Sequence, residues 1–105
     1  MSKPAAPTGV YVISVAATLV GSHPQTLRTY ERLGLVAPAR RTGGSRLYSE
    51  QDITRLRRIA ELSSEGISLA GIARILVLES EVARLEAERV TATAALRAVR
   101  SPSRR

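Results

Sequence analysis

The sequence predicts a mostly α-helical fold: a winged helix-turn-helix head followed by a C-terminal helix of coiled-coil type. Three observations carry this. Two short amphipathic stretches are joined by a turn containing Gly21, which is helix-turn-helix spacing. An arginine-rich segment follows, interrupted by Pro38 and centred on Gly43-Gly44, and it cannot be helical. From Leu78 onward, seven positions at alternating spacings of four and three, five of them large and apolar, lie on one heptad seam.

Residues 1–9 are rich in Pro and Ala, lack periodicity and read as a disordered arm. Tyr11-Val-Ile13 is short, apolar and β-prone. Ser14 then offers an N-cap, and Ala16, Ala17, Leu19 and Val20 form an apolar face before Gly21 stops the helix. A second helix starts at His23 or Pro24, because proline suits a first helical turn. Leu27, Tyr30 and Leu33 face inward there, leaving Gln25, Thr26, Arg28, Thr29 and Arg32 to point out, and Gly34 closes it. Pro38 to Tyr48 forms a small β-hairpin wing turning at Gly-Gly and carrying Arg40, Arg41 and Arg46.

Ser49 with Asp52 has the spacing of a capping box, with Asp where Glu or Gln is usual. The helix behind it buries Ile53, Leu56, Ile59 and Ala60, and Gly66 ends that region. Ser68 caps the next helix, whose Leu69, Ile72, Ala73 and Leu76 follow i, i+3, i+4, i+7 spacing and belong to the core. The seam beyond comprises Leu78, Val82, Leu85, Arg89, Ala92, Leu96 and Val99, flanked by charged residues. Arg89 and Ala92 weaken its middle. The seam has two readings, a dimerisation surface or a lone amphipathic helix folded on its own domain, and the first is preferred because so short a chain has little spare core to cover it. The expected division is therefore an arm over 1–9, a DNA-binding head over 10–78, a dimerisation helix over 79–100 and a basic tail over 101–105.

Charge places the function on the first half. Residues 1–48 hold Lys3, Arg28, Arg32, Arg40, Arg41 and Arg46 against the single acid Glu31, whereas residues 49–100 hold eight arginines and eight acids. A basic head on a neutral helical body fits a polyanion partner. Cysteine is absent, which excludes disulfides and thiolate metal sites, and His23 is the only histidine. No metal, cofactor or enzymatic constellation can be named. No apolar run approaches the ~18–20 residues a membrane span needs. Val10 to Val20 could pass for a signal-peptide core behind Lys3, but its flank carries one Lys and two prolines, so a cytoplasmic location on the nucleoid is expected instead.

Four segments together resemble the MerR family of bacterial transcription regulators: Tyr11-Val-Ile-Ser-Val-Ala-Ala, Gln25-Thr-Leu-Arg-Thr-Tyr-Glu-Arg-Leu-Gly-Leu-Val-Ala-Pro, Arg46-Leu-Tyr-Ser-Glu-Gln-Asp-Ile and Gly66-Ile-Ser-Leu-Ala-Gly-Ile. The likeness runs through roughly residues 10–78 in order and without gaps. Ile13-Ser-Val-Ala-Ala, His23-Pro-Gln-Thr-Leu-Arg and Arg41-Thr-Gly-Gly are most similar to its heat-shock repressor branch. The resemblance implies a homodimer whose antiparallel helices set two heads on successive major grooves of an inverted-repeat duplex. In that arrangement Gln25, Thr26, Arg28, Thr29 and Arg32 would face the groove and read bases. Tyr30, Arg46 and Tyr48 would buttress or touch the phosphate backbone beside Arg40 and Arg41. Arg57 or Arg58, with the Ser63 to Ser68 loop, would form a second wing. His23, at the start of the recognition helix, would either donate to a phosphate or base, or cap and pack.

The chain departs from the family at Thr29, where a second tyrosine is frequent, and in ending about 27 residues after Leu78. No effector domain, and so no small-molecule effector on this chain, is expected. The branch resemblance implies an Hsp70-type chaperone as co-repressor, although residues 101–105 offer no apolar segment to bind one. Two other functions compete with a repressor of heat-shock genes. One is an excisionase-like or architectural DNA binder; the other is a protein-interaction module working through the C-terminal helix.

Overall fold

The computed structural model describes residues 10–100; the expected arm at 1–9 and basic tail at 101–105 lie outside the described residues. Four helices and one hairpin follow in the order α1 (Ile13–Val20), α2 (Pro24–Arg32), β1 (Ala39–Arg40), β2 (Arg46–Leu47), α3 (Glu50–Ser64) and α4 (Leu69–Arg100). The chain divides into two units between Ser68 and Leu69.

In the first unit α1 packs against both α2 and α3. Its start differs from the expectation. Ser14 is not the cap: Ile13 is already helical and Val12 occupies the N-cap position without any side-chain cap bond. The entry is fixed from outside, since Val10 and Tyr11 donate their N–H groups to the Tyr48 carbonyl and Tyr48 N–H returns to Tyr11. Tyr11 thus makes a single antiparallel bridge to Tyr48 rather than a strand of its own. Its hydroxyl donates to the Glu50 carboxylate, and that hydrogen bond raises the Tyr11 pKa. On the helix itself only Ala16 and Ala17 are buried, and Leu19 is exposed. An eight-residue helix squeezed between two others buries a stripe only as wide as its small residues.

Gly21 ends α1 at φ 70°, a left-handed conformation that L side chains adopt at a cost. Ser22 N–H then bonds back to Ala17, and His23 stands as N-cap of α2 with Pro24 in the first turn. Leu27 and Tyr30 are buried as expected, but Leu33 is the C-cap residue and is half exposed. Burial passes instead to Leu35 and Val36 in the connection beyond Gly34, where Arg55 Nε donates to the Leu35 carbonyl.

The wing is the expected hairpin. Ala39 pairs with Leu47 and Arg40 with Arg46, while Gly43 and Gly44 both take positive φ in the turn. The capping box is present in full: Asp52 N–H donates to Ser49 Oγ at 3.0 Å, and Ser49 N–H donates to Asp52 at 2.9 Å. Behind it, α3 buries Ile53, Leu56, Ile59 and also Leu62, with Ala60 half-buried.

The second unit is one unbroken helix. It starts at Leu69, directly after Ser68, and runs through the change of pattern at Leu78 without interruption. Ile72 and Leu76 are buried and Leu69 and Ala73 half-buried, in keeping with the first stripe.

Candidate nucleic-acid interface

The base-reading candidates sit where helical geometry puts them. Gln25, Arg28 and Arg32 project from the outer face of α2 and are exposed, while Thr26 and Thr29 are half-buried on its flank. Thr29 Oγ1 donates to the Gln25 carbonyl at 3.1 Å, so that hydroxyl is free only to accept. His23 is exposed at the head of the helix; its carbonyl accepts from Thr26 at 2.9 Å, and its imidazole makes no cap bond.

The wing comes close to this face. Gln25, Arg28, Glu31 and Arg32 of α2 line, with Arg40 and Arg46 of the wing, a recess of about 390 Å³. The element joining the two sides is Glu31, which the sequence reading left unassigned. One carboxylate oxygen accepts from Arg40 Nη2 at 2.7 Å and the other from Arg46 Nε. Burial alone would raise the Glu31 pKa. The hydrogen bond and charge of Arg46, and then those of Arg40, outweigh it and hold the carboxyl below its usual range. Arg40 also donates to the Gly44 carbonyl at 3.1 Å, bracing its own turn. Arg41 is exposed, with its backbone N–H bonded to Ser45. One signal was available for Glu31: it is the only acid among residues 1–48.

The two tyrosines expected at the backbone are not surface groups. Tyr30 is buried and Tyr48 is fully enclosed. Burial pushes the Tyr48 phenol pKa upward, and among the described residues its hydroxyl has no hydrogen-bond partner. Arg57 donates to the Leu19 carbonyl at the end of α1, at 3.4 Å, and Arg58 pairs with Glu61. The loop expected over Ser63 to Ser68 is shorter, because α3 continues through Ser64.

On α4 the seam residues Leu78, Val82, Leu85, Leu96 and Val99 are all exposed, each by more than half. Arg89 and Ala92 lie exposed among them. Arg89 pairs with Glu86 of its own helix at 2.7 Å, and Arg84 with Glu81 and Glu88 at 2.7 Å each. Among the described residues no group of three or more His, Asp and Glu is placed to hold a metal ion, and no helix is long and apolar enough to cross a membrane.

Residues 11–78 match the profile of the MerR HTH family regulatory proteins. The putative heat shock protein HspR of Streptomyces coelicolor is 59% identical over 90 residues, which cover 85% of this chain and 60% of that protein. The chain therefore spans about three-fifths of that relative's length. Among solved structures, the transcription regulator PbrR691 from Ralstonia metallidurans, in complex with lead(II), superposes with a TM-score of 0.64 at 28% identity over 86% of this chain and 80% of that one. The N-terminus of the Bacillus subtilis multidrug transporter activator MtaN gives a TM-score of 0.61 at 25% identity, over 86% and 94% of the two chains.

Proposed function

Because the chain belongs to the MerR family of helix-turn-helix regulatory proteins, we propose that it binds a specific inverted-repeat DNA duplex as a homodimer and represses heat-shock and chaperone genes. The single observation that carries DNA binding is the juxtaposition of Gln25, Arg28 and Arg32 on α2 with Arg40 and Arg46 on the wing around one recess. A helix of this kind supplies base-edge donors to a major groove while flanking arginines bind phosphates. Kinship with HspR supports the choice of heat-shock genes and of repression. By the same kinship an Hsp70-type chaperone is the candidate co-repressor, and the site of action is the cytoplasm, on the nucleoid.

Dimerisation is supported by α4. A helix exposing Leu78, Val82, Leu85, Leu96 and Val99 along one seam leaves large apolar side chains open to a partner. A partner helix covers it, and the two heads are then held at a fixed spacing.

The test is a titration of the chain with duplexes bound in cells, identified by genome-wide mapping of its sites. Bound sites are expected upstream of chaperone genes. Affinity for them should fall steeply with salt, each neutralised phosphate adding about −0.9 to the log–log slope. An affinity unchanged between low and moderate salt overturns the DNA reading. Sites beside an integrase gene and absent from chaperone promoters would instead favour the excisionase-like function.

A further inference from the structure

The recess contains one anionic group, and its position is unexpected for a surface built to meet phosphates. Glu31 lies on the recognition helix between Arg28 and Arg32 in the recess lining, with its side chain only 18% exposed. Its partners, Arg40 and Arg46, are directly opposite each other on the hairpin ladder. Two like charges at facing positions of an antiparallel pair repel. A carboxylate divided between them removes that repulsion and ties both strands of the wing to α2. Because the pairs span 9 and 15 residues of sequence, they constrain tertiary geometry and not merely a local turn. Arg28, Arg32 and Arg41, by contrast, are exposed and form no ion pair among the described residues.

Resting on the DNA-binding reading above, we propose that Glu31 is a positioning residue for sequence discrimination: it clamps Arg40 and Arg46 so that the wing stands at one fixed distance from α2, and it withholds both guanidiniums from indiscriminate phosphate contact. A duplex whose groove and backbone fit α2 and the fixed wing together keeps its contacts. An arbitrary duplex meets two guanidiniums already engaged by a carboxylate, a cluster of net charge +1. The clamp therefore lowers binding to arbitrary DNA more than binding to the operator, and specificity is the difference between the two.

Glu31→Gln keeps the shape of the side chain and removes its charge. The probes are a duplex selected by the parent chain from a random-sequence pool and a scrambled duplex of the same composition. For the variant, affinity for the scrambled duplex should rise, and the ratio of selected to scrambled binding should fall by roughly tenfold. The scrambled-duplex salt slope should steepen by about 0.9 for each released guanidinium that reaches a phosphate. Arg46→Gln in the same background should reverse part of the steepening. A ratio and slope equal to the parent's overturn the proposal and leave the DNA reading intact; a parent that selects no sequence overturns both. Should Glu31→Gln fail to fold, Glu31→Asp is measured instead. Its carboxylate falls short of spanning both arginines, and an unchanged ratio there counts equally against the clamp.

Discussion

From residue 13 to residue 62, apolar side chains from three helices are buried by one another: Ala16 and Ala17 of α1, Leu27 and Tyr30 of α2, and Ile53, Leu56, Ile59 and Leu62 of α3. Past Leu76 the long helix α4 buries no large apolar residue, and Val82, Leu85, Val90, Leu96 and Val99 each stand more than half exposed. Charge divides the same way. The basic excess lies in residues 1–48 and the helix is nearly balanced by its own arginine–glutamate pairs. The contrast teaches that the first unit buries its apolar side chains and leaves a basic surface, whereas α4 beyond Leu76 leaves its apolar side chains uncovered. Its uncovered surface is apolar, and on the dimer reading proposed above a second copy of the same helix covers it.

The strongest way to break that comparison is to make the same kind of cut in both units. Ile59 is fully enclosed, so Ile59→Ala should lower head stability by about 2–5 kcal/mol through lost burial and the cavity left behind. Thermal or denaturant unfolding of the isolated variant reads this directly, and a loss below ~1 kcal/mol would mean the head is not the self-sufficient core described. Leu85, 53% exposed in the single chain, predicts the opposite profile. Leu85→Ala should leave head unfolding nearly unchanged but weaken the dimer by at least ~2 kcal/mol, a roughly 30-fold rise in dissociation constant. Sedimentation at micromolar concentration decides it. A variant as dimeric as the parent removes α4 from the dimer seam and favours the interaction-module function.

Binding sharpens the comparison within the head. Arg28 is exposed and unpaired on α2, so Arg28→Ala should lose roughly 1–3 kcal/mol on the operator, chiefly at one base position per half-site. Equal losses on specific and random duplexes would assign it to phosphate contact instead. The family resemblance implies that Arg46 buttresses or touches the phosphate backbone. Because Glu31 holds it, its removal also loosens the wing, so Arg46→Ala should blur discrimination as well as flatten the salt slope on the operator, where the fitted wing keeps its contacts.

Local signals made most of this architecture readable. The Pro24 start of α2, the Gly-Gly wing and the Ser49–Asp52 capping box depend on neighbours within a few residues, and the structure has all of them. The departures arise where distant segments decide. Ser14 is not the cap because the Tyr11–Tyr48 bridge fixes the entry and the helix starts with Val12 as N-cap, two residues earlier. Leu19 and Leu33 were assigned inward by spacing, but short helices meet their neighbours over a narrow stripe, and Leu35 and Val36, in a connection without periodicity, took the burial. Glu31 is the instructive miss at the site. A lone acid among arginines was visible in the sequence, yet which cations it joins depends on a hairpin folding back across 9 and 15 residues.

The smallest expected effect is a pH dependence that separates the ion pairs of the two units. On α4, Arg84 and its partners are more than half exposed, and such pairs contribute from nothing to about 1 kcal/mol. In the head, Glu31 is largely covered and shared by two arginines, and its folded pKa lies below the unfolded value. The sign follows from linkage. Where the folded pKa is the lower one, the stabilisation is complete above the unfolded glutamate pKa of about 4.3 and is lost as pH falls through the folded value. Parent and Glu31→Gln should therefore differ in head melting temperature at neutral pH and converge on acidification below that range, since the protonated parent carries no charge for Arg40 or Arg46 to hold. Arg84→Ala should show no comparable convergence in head melting, because its pairs lie on α4. A parent-to-variant gap that stays constant from neutral pH to about pH 3 would mean that the Glu31 charge does not hold the wing, and that shape alone sets its distance from α2.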